Sequence, residues 1–127
     1  MVKRVLNIGH CLPDHMAIEA MIQQHFDAEV VPAADADTAL AALRTQTYDL
    51  VLVNRKLDRD YSDGLEVIRR IMADSAMHAP PVMLITNFND YQQKAIQAGA
   101  EPGFGKQALG SEEVLDQLRP FLIEPAE

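Results

Sequence analysis

Cysteine occurs once in the 127 residues, at Cys11, and tryptophan not at all. A single thiol excludes an internal disulfide framework. Basic residues are scarce: eleven Lys and Arg face nineteen Asp and Glu, for a net charge of −8. That balance argues against a nucleic-acid surface, whose affinity comes from cations on phosphates. Long apolar runs are missing too. Nothing approaches the ~20 apolar residues of a membrane span, and "MVKRVL" at the start is too short for a signal peptide. There are no repeats and no low-complexity tracts. The expectation is a soluble, cytoplasmic protein that touches neither membrane nor nucleic acid directly. What is present is a chain 48% hydrophobic and 24% charged, which suits one globular core. Residues 1–123 read as one domain and 124–127 as a short, frayed tail.

Short apolar runs alternate with amphipathic stretches. "RVLNI" (4–8), "AEVVPA" (28–33), "DLVLV" (49–53), "PPVMLI" (80–85) and "PGFGK" (102–106) read as strands. The second is broken by Pro32, and the last is weakened by glycine. "DLVLV" is continuously apolar after its first residue, as in a strand covered on both faces. Between these lie helical patterns. Ile18, Met21, Ile22, His25 and Phe26 recur at helical spacing in 14–26, after Pro13 at a helix start. Asp35 or Asp37 caps a helix that turns Ala39, Leu40 and Leu43 inward. Leu65, Ile68, Ile71 and Met72 share a face. Residues 89–100 end at Gly99, and Ser111 caps a last helix carrying Val114, Leu115, Leu118 and Leu122. Met16, Met21, Met72, Met77 and Met83 mostly follow core spacing.

Five strands alternating with five helices predict an α/β fold: a five-stranded parallel sheet with helices on both faces. The functional crevice of such a sheet lies beyond the carboxyl ends of its strands. Those ends carry Gly9, His10 and Cys11, then Asn54 and Arg55, then Thr86 and Asn87, then Lys106. The polar loop "RKLDRDYSD" (55–63) sits beside them.

The stretches "KRVLNI", "ADTALAALRTQTYDLVLVN", "DGLEVIRRI", "PPVMLIT", "QAGAEPGFGK" and "LGSEEVLDQL" resemble, in order and spacing, the receiver domain of two-component response regulators. The resemblance implies the flavodoxin-like, CheY-like sheet order 2-1-3-4-5. It also implies a phosphotransfer site. In receivers an acidic pair after the first strand and an aspartate ending the third hold Mg²⁺, and that aspartate takes a phosphoryl group from a phosphohistidine. A Thr or Ser and a Lys grip its oxygens. Thr86 and Lys106 match the grip. The acidic pair, however, aligns with Gly9 and His10, and the acceptor with Asn54.

Each loss has a physical meaning. The amide of Asn54 is neutral and a very poor nucleophile. Mg²⁺ wants oxygen ligands, usually one or two carboxylates, whereas Gly9 has no side chain and His10 offers nitrogen. The expectation is therefore a degenerate phosphorylation pocket with no catalytic residue, no metal and no cofactor. The protein would be a phosphorylation-independent interaction or dimerisation module, not an enzyme. Its partner would be a signalling kinase, regulator or output protein, or a second copy, and the resemblance points to a face over residues 89–122.

Other departures concern the fifth strand. The inward aromatic of the family falls at Gly103, and Phe104, one place later, should face the other way. Gln107 follows Lys106 where the family has a cis-proline, so a trans bond and an altered approach to the last helix are expected. Loop 55–63 is two residues longer than usual.

Other readings stand beside this one. Asn54 is a satisfied amide bonded to Thr86, Lys106 or backbone, or else His10, Asn54, Thr86 and Lys106 form an anion site. Lys106 instead pairs with Asp14 or Asp58. Asp58, Asp60 or Asp63 would serve as a displaced phosphoacceptor. His10, Cys11, Asp14 and His15 are suitable metal-ligand types but match no strong metal motif. Tyr61 at the loop tip is a partner contact or simply exposed. A flavodoxin-like cofactor binder fails, because "GHCLPDH" has no Ser or Thr to cradle a phosphate.

Overall fold

A computed structural model describes residues 2–74 and 79–123. The elements run β1 (Lys3–Ile8), α1 (Leu12–His25), β2 (Ala28–Ala33), α2 (Ala36–Thr45), β3 (Leu50–Asn54), α3 (Gly64–Ala73), β4 (Val82–Ile85), α4 (Asn89–Gln97), β5 (Glu101–Phe104), a 3-10 turn (Lys106–Ala108) and α5 (Glu112–Leu122). The strands form one parallel sheet in the order β2-β1-β3-β4-β5, the expected fold.

Period-two alternation sorts the strand side chains into two apolar layers. Leu6, Ile8, Val51, Val53, Val82 and Leu84 pack with Leu40, Leu43, Ile68, Ile71 and Ala95 from α2, α3 and α4. Val5, Leu50, Leu52, Met83, Ile85 and Phe104 pack with Ile18, Ile22, Leu115 and Leu118 from α1 and α5. Asp35, Asp63 and Ser111 cap their helices by accepting backbone N–H bonds.

Four sequence readings change. Pro32 does not break β2. The carbonyls of Asp27 and Ala33 face β1, so the even positions of this edge strand point outward and the missing N–H of Pro32 costs no ladder bond. His25 and Met16, placed on core spacing, are exposed: α1 buries only the narrow stripe of Ile18, Met21 and Ile22. β5 ends at Phe104, and Lys106 opens the 3-10 turn instead of closing the strand. Loop 55–63 is tightly folded: Leu57 N–H donates to Ser62 O, Tyr61 N–H donates to Leu57 O, and Lys56 bridges to Asp63. Leu57 is fully buried inside it. Met77 and the 124–127 tail lie outside the described residues.

Candidate functional site

The ends of β1, β3, β4 and β5 converge as the parallel register requires, with Ile8 beside Val53 and Asn54 beside Ile85. Asn54, the last residue of β3, is half-buried. Its Nδ2 donates to Gly9 O at 3.0 Å, and its Oδ1 accepts from Lys106 Nζ at 3.3 Å. Lys106 Nζ also lies 2.8 Å from Asp14 Oδ2, at the start of α1. The amide thus bridges β1 to the lysine, and the lysine closes the crevice onto α1. Of the two carboxylates considered for Lys106, Asp14 is its partner. Asp58 meets β1 through its backbone instead, its N–H donating to Gly9 O at 2.9 Å.

The Lys106 ammonium holds the Asp14 carboxyl below its ordinary range, with a further hydrogen bond from Cys11. His10 is lowered as well, which for a base favours the neutral form: burial first, then the nearby Lys106 charge, brings it to about 3. Its ring is neutral near pH 7, and both ring nitrogens are buried with no hydrogen-bond partner among the described residues.

Gly9 is constrained by its backbone as well as by its lack of a side chain. Its φ is +77°, a left-handed conformation that disfavours other residues. A Cβ built there would stand 2.3 Å from Leu57 Cγ. Leu57 from loop 55–63 therefore occupies the space where a side chain at position 9 would go. A bound Mg²⁺ does not fit this arrangement. The one carboxylate that reaches Lys106, Asp14, is already neutralised by its ammonium, which also faces Asn54 Oδ1. Among the described residues, no group of three or more His, Cys, Asp and Glu is disposed around a metal.

Thr86 is buried at the end of β4, and its Oγ1 accepts from the Phe88 N–H at 3.2 Å. It shares a shallow cavity of about 160 Å³ with Asn54, Arg55, Lys56, Asn87, Phe88 and Lys106. So Asn54, Thr86 and Lys106 do come together, and His10 borders the same charges from the β1 side. Of the loop aspartates, Asp60 accepts from Ser62 and Asp63 caps α3. Tyr61 is 72% exposed and lies under the Lys56 ammonium.

Two features escaped the sequence reading. Asn7, in "VLNI", is buried with its Nδ2 3.0 Å from His15 Nδ1; a polar residue on a buried strand position was the available signal. The second is the seam between β4 and β5. Gln92 of α4 donates through Nε2 to Leu84 O at 2.9 Å and Thr86 O at 3.3 Å, and accepts through Oε1 from Gly103 N at 2.9 Å. Phe104 packs in the α1–α5 layer, on the side away from Gln92, and no cis peptide occurs among the described residues.

The sequence matches a family model described as the response regulator receiver domain over residues 13–119. It matches no curated protein. Solved structures agree in fold. A response regulator from Chloroflexus aurantiacus is 17% identical, with a TM-score of 0.83 over 98% of this chain and 100% of that one. The chemotaxis response regulator CheY4 of Vibrio cholerae is 19% identical, with a TM-score of 0.76 over 96% and 100%. The receiver domain of a sensor histidine kinase from Pseudomonas aeruginosa, whose structure has magnesium coordinated in its active-site cleft, is 21% identical, with a TM-score of 0.72 over 95% and 98%. Among the described residues no helix is long and apolar enough to cross a membrane.

Proposed function

Since the chain belongs to the response regulator receiver family, we propose that it is a two-component signalling receiver that has given up the phosphoryl switch. In this reading it is not an enzyme. It works as an interaction module, docking on a signalling kinase, regulator or output protein, or on a second copy of itself. The observation that carries the reading is the state of Lys106. Its ammonium, which in the family grips a phosphoryl oxygen, is held by Asp14 at 2.8 Å and by the Asn54 amide at 3.3 Å. The supporting chemistry is the absence of a nucleophile at position 54 and the filling of the Gly9 side-chain space by Leu57. The last point sets this chain apart from a receiver with one substituted acceptor: replacing Asn54 by Asp leaves position 9 blocked.

The test is incubation of the full chain, and of Asn54→Asp, with acetyl phosphate and Mg²⁺, read by intact mass. Neither protein is expected to gain a phosphoryl group. A stoichiometric gain by the unmodified chain, mapped to Asp58, Asp60 or Asp63, would establish a displaced acceptor instead.

A second reading has its own observation. Arg55, Lys56 and Lys106 all line the 160 Å³ cavity with Thr86 and Asn87, a set of donors suited to an anion. Titration with inorganic phosphate or sulfate, followed at the Thr86 and Asn87 amides by NMR, should then give a saturable shift. A linear drift with ionic strength rules that reading out.

A further inference from the structure

The β4–β5 ladder is irregular between Met83 and Ile85. An irregular ladder strands backbone groups that would otherwise pair. Two glutamines from different helices take up groups at this point. Gln92 of α4 bonds Leu84 O and Thr86 O on β4 and Gly103 N on β5. Its amide sits in the seam as a substitute peptide, donating to one strand and accepting from the other. Gln117 of α5 approaches β5 separately, its Nε2 donating to Gly103 O at 2.9 Å and Pro102 O at 3.1 Å. Gly103 is therefore held by α4 through its N–H and by α5 through its C=O. Only glycine fits: a Cβ at 103 would lie 2.2 Å from Leu84 O and 3.2 Å from the Gln92 amide.

We infer that Gln92, Gly103 and Gln117 form a polar latch that fixes α4, β5 and α5 as one unit, so that this face is presented in a single arrangement. The inference deepens the reading above, since an interaction module without a phosphoryl switch needs a surface set by the fold itself. It does not depend on that reading, because the latch exists or fails whether or not position 54 is labelled. A side chain at 103 is excluded first by the Leu84 carbonyl, 2.2 Å from where its Cβ would stand, with the Gln92 amide close behind at 3.2 Å.

Gln92 is a positioning residue, and its test needs readouts that simple loss of packing would not move. Amide exchange on the isotope-labelled full chain should show the Gly103 N–H exchanging at least about tenfold faster in Gln92→Leu. The exposed neighbour change Gln93→Ala should leave it unaltered. In Gln92→Glu the carboxylate still accepts from Gly103 but cannot donate to the two carbonyls of β4. Protonation near a carboxylate's ordinary pKa of about 4.3 restores a donor, so Gly103 protection relative to the parent should rise as pH falls from 7 to 4. Coupling is read from Gln92→Leu, Gln117→Leu and the double variant, whose effects on Gly103 exchange should be non-additive. Gly103 exchange within about twofold of the parent in Gln92→Leu, a pH-independent Gln92→Glu, or additive effects of the two glutamines would each overturn the latch. Should Gln92→Leu fail to fold, Gln92→Glu and Gln117→Leu carry the same tests.

Discussion

The crevice at the ends of β1 and β3 and the seam between β4 and β5 lie in the same sheet and satisfy their polar groups to different degrees. In the crevice Asn54, Lys106 and Asp14 are bonded, but both His10 nitrogens and Asn7 Oδ1 are buried without a partner among the described residues. In the seam, an irregular ladder is mended group by group by Gln92 and Gln117. A buried polar atom left unpaired costs free energy, and a satisfied network stiffens the structure around it. The difference teaches that the two regions are held by different means: the crevice keeps some buried polar atoms without a partner among the described residues, while α4, β5 and α5 are tied together by two glutamine amides.

The largest effect should come from the residue that seals the crevice. Leu57 is fully buried and packs onto Gly9. Leu57→Ala should lower stability by about 2–5 kcal/mol, the usual cost of such a truncation, measured by urea unfolding. A loss under about 1 kcal/mol would mean that loop 55–63 does not seal the β1 end.

The next effect is electrostatic. His10 has its pKa lowered to about 3 by burial and by Lys106, whereas in the unfolded chain it lies near 6.5. Between those values the unfolded state binds the extra proton. Stability therefore falls as pH drops from about 6.5 towards 3, by at most about 1.4 kcal/mol per pH unit. His10→Phe should flatten that slope relative to the parent when unfolding is measured at pH 7, 6 and 5. Equal slopes would place the ring in water and remove the contrast with the seam.

Asn54→Ala removes the bonds to Gly9 O and Lys106 and should cost about 1 kcal/mol. Lys106→Met should cost less, within about 1 kcal/mol, because the Asp14 carboxylate is 40% exposed and water screens the pair. Asp14 has its pKa lowered, so what the pair contributes is present above the ordinary carboxylate range and is lost as pH falls below it. A larger loss for Lys106→Met than for Asn54→Ala would make the salt bridge, not the amide, the keystone of the crevice.

The alternation of elements was legible because each strand and helix announces its own burial locally. "DLVLV" is apolar without a break, and Leu40, Leu43, Ile68, Ile71, Leu115 and Leu118 fall on helical spacing and are buried. Boundaries moved by a residue: β3 begins at Leu50, and Asp49 just before it is tied to Arg4 through both its N–H and its carboxylate. The strand-end residues of the site were also legible, since topology alone brings the ends together. Leu57 was not, because it stands in a stretch whose other residues are nearly all polar, and nothing local marks it as buried.

The sequence by itself determined which atoms stand at the strand ends: an amide at 54, no side chain at 9, an imidazole at 10, and hence no carboxylate from those positions. It determined the two apolar layers as well, since period two and period 3.6 are properties of the chain alone. Only the tertiary structure decided who meets whom. Lys106 meets Asp14 across 92 residues, Leu57 fills the space over Gly9, and Gln92 enters a ladder whose irregularity no local pattern announces. Such pairings depend on the register of β4 against β5 and on the path of one loop, and a difference of a single residue in either would hand each of these groups a different partner.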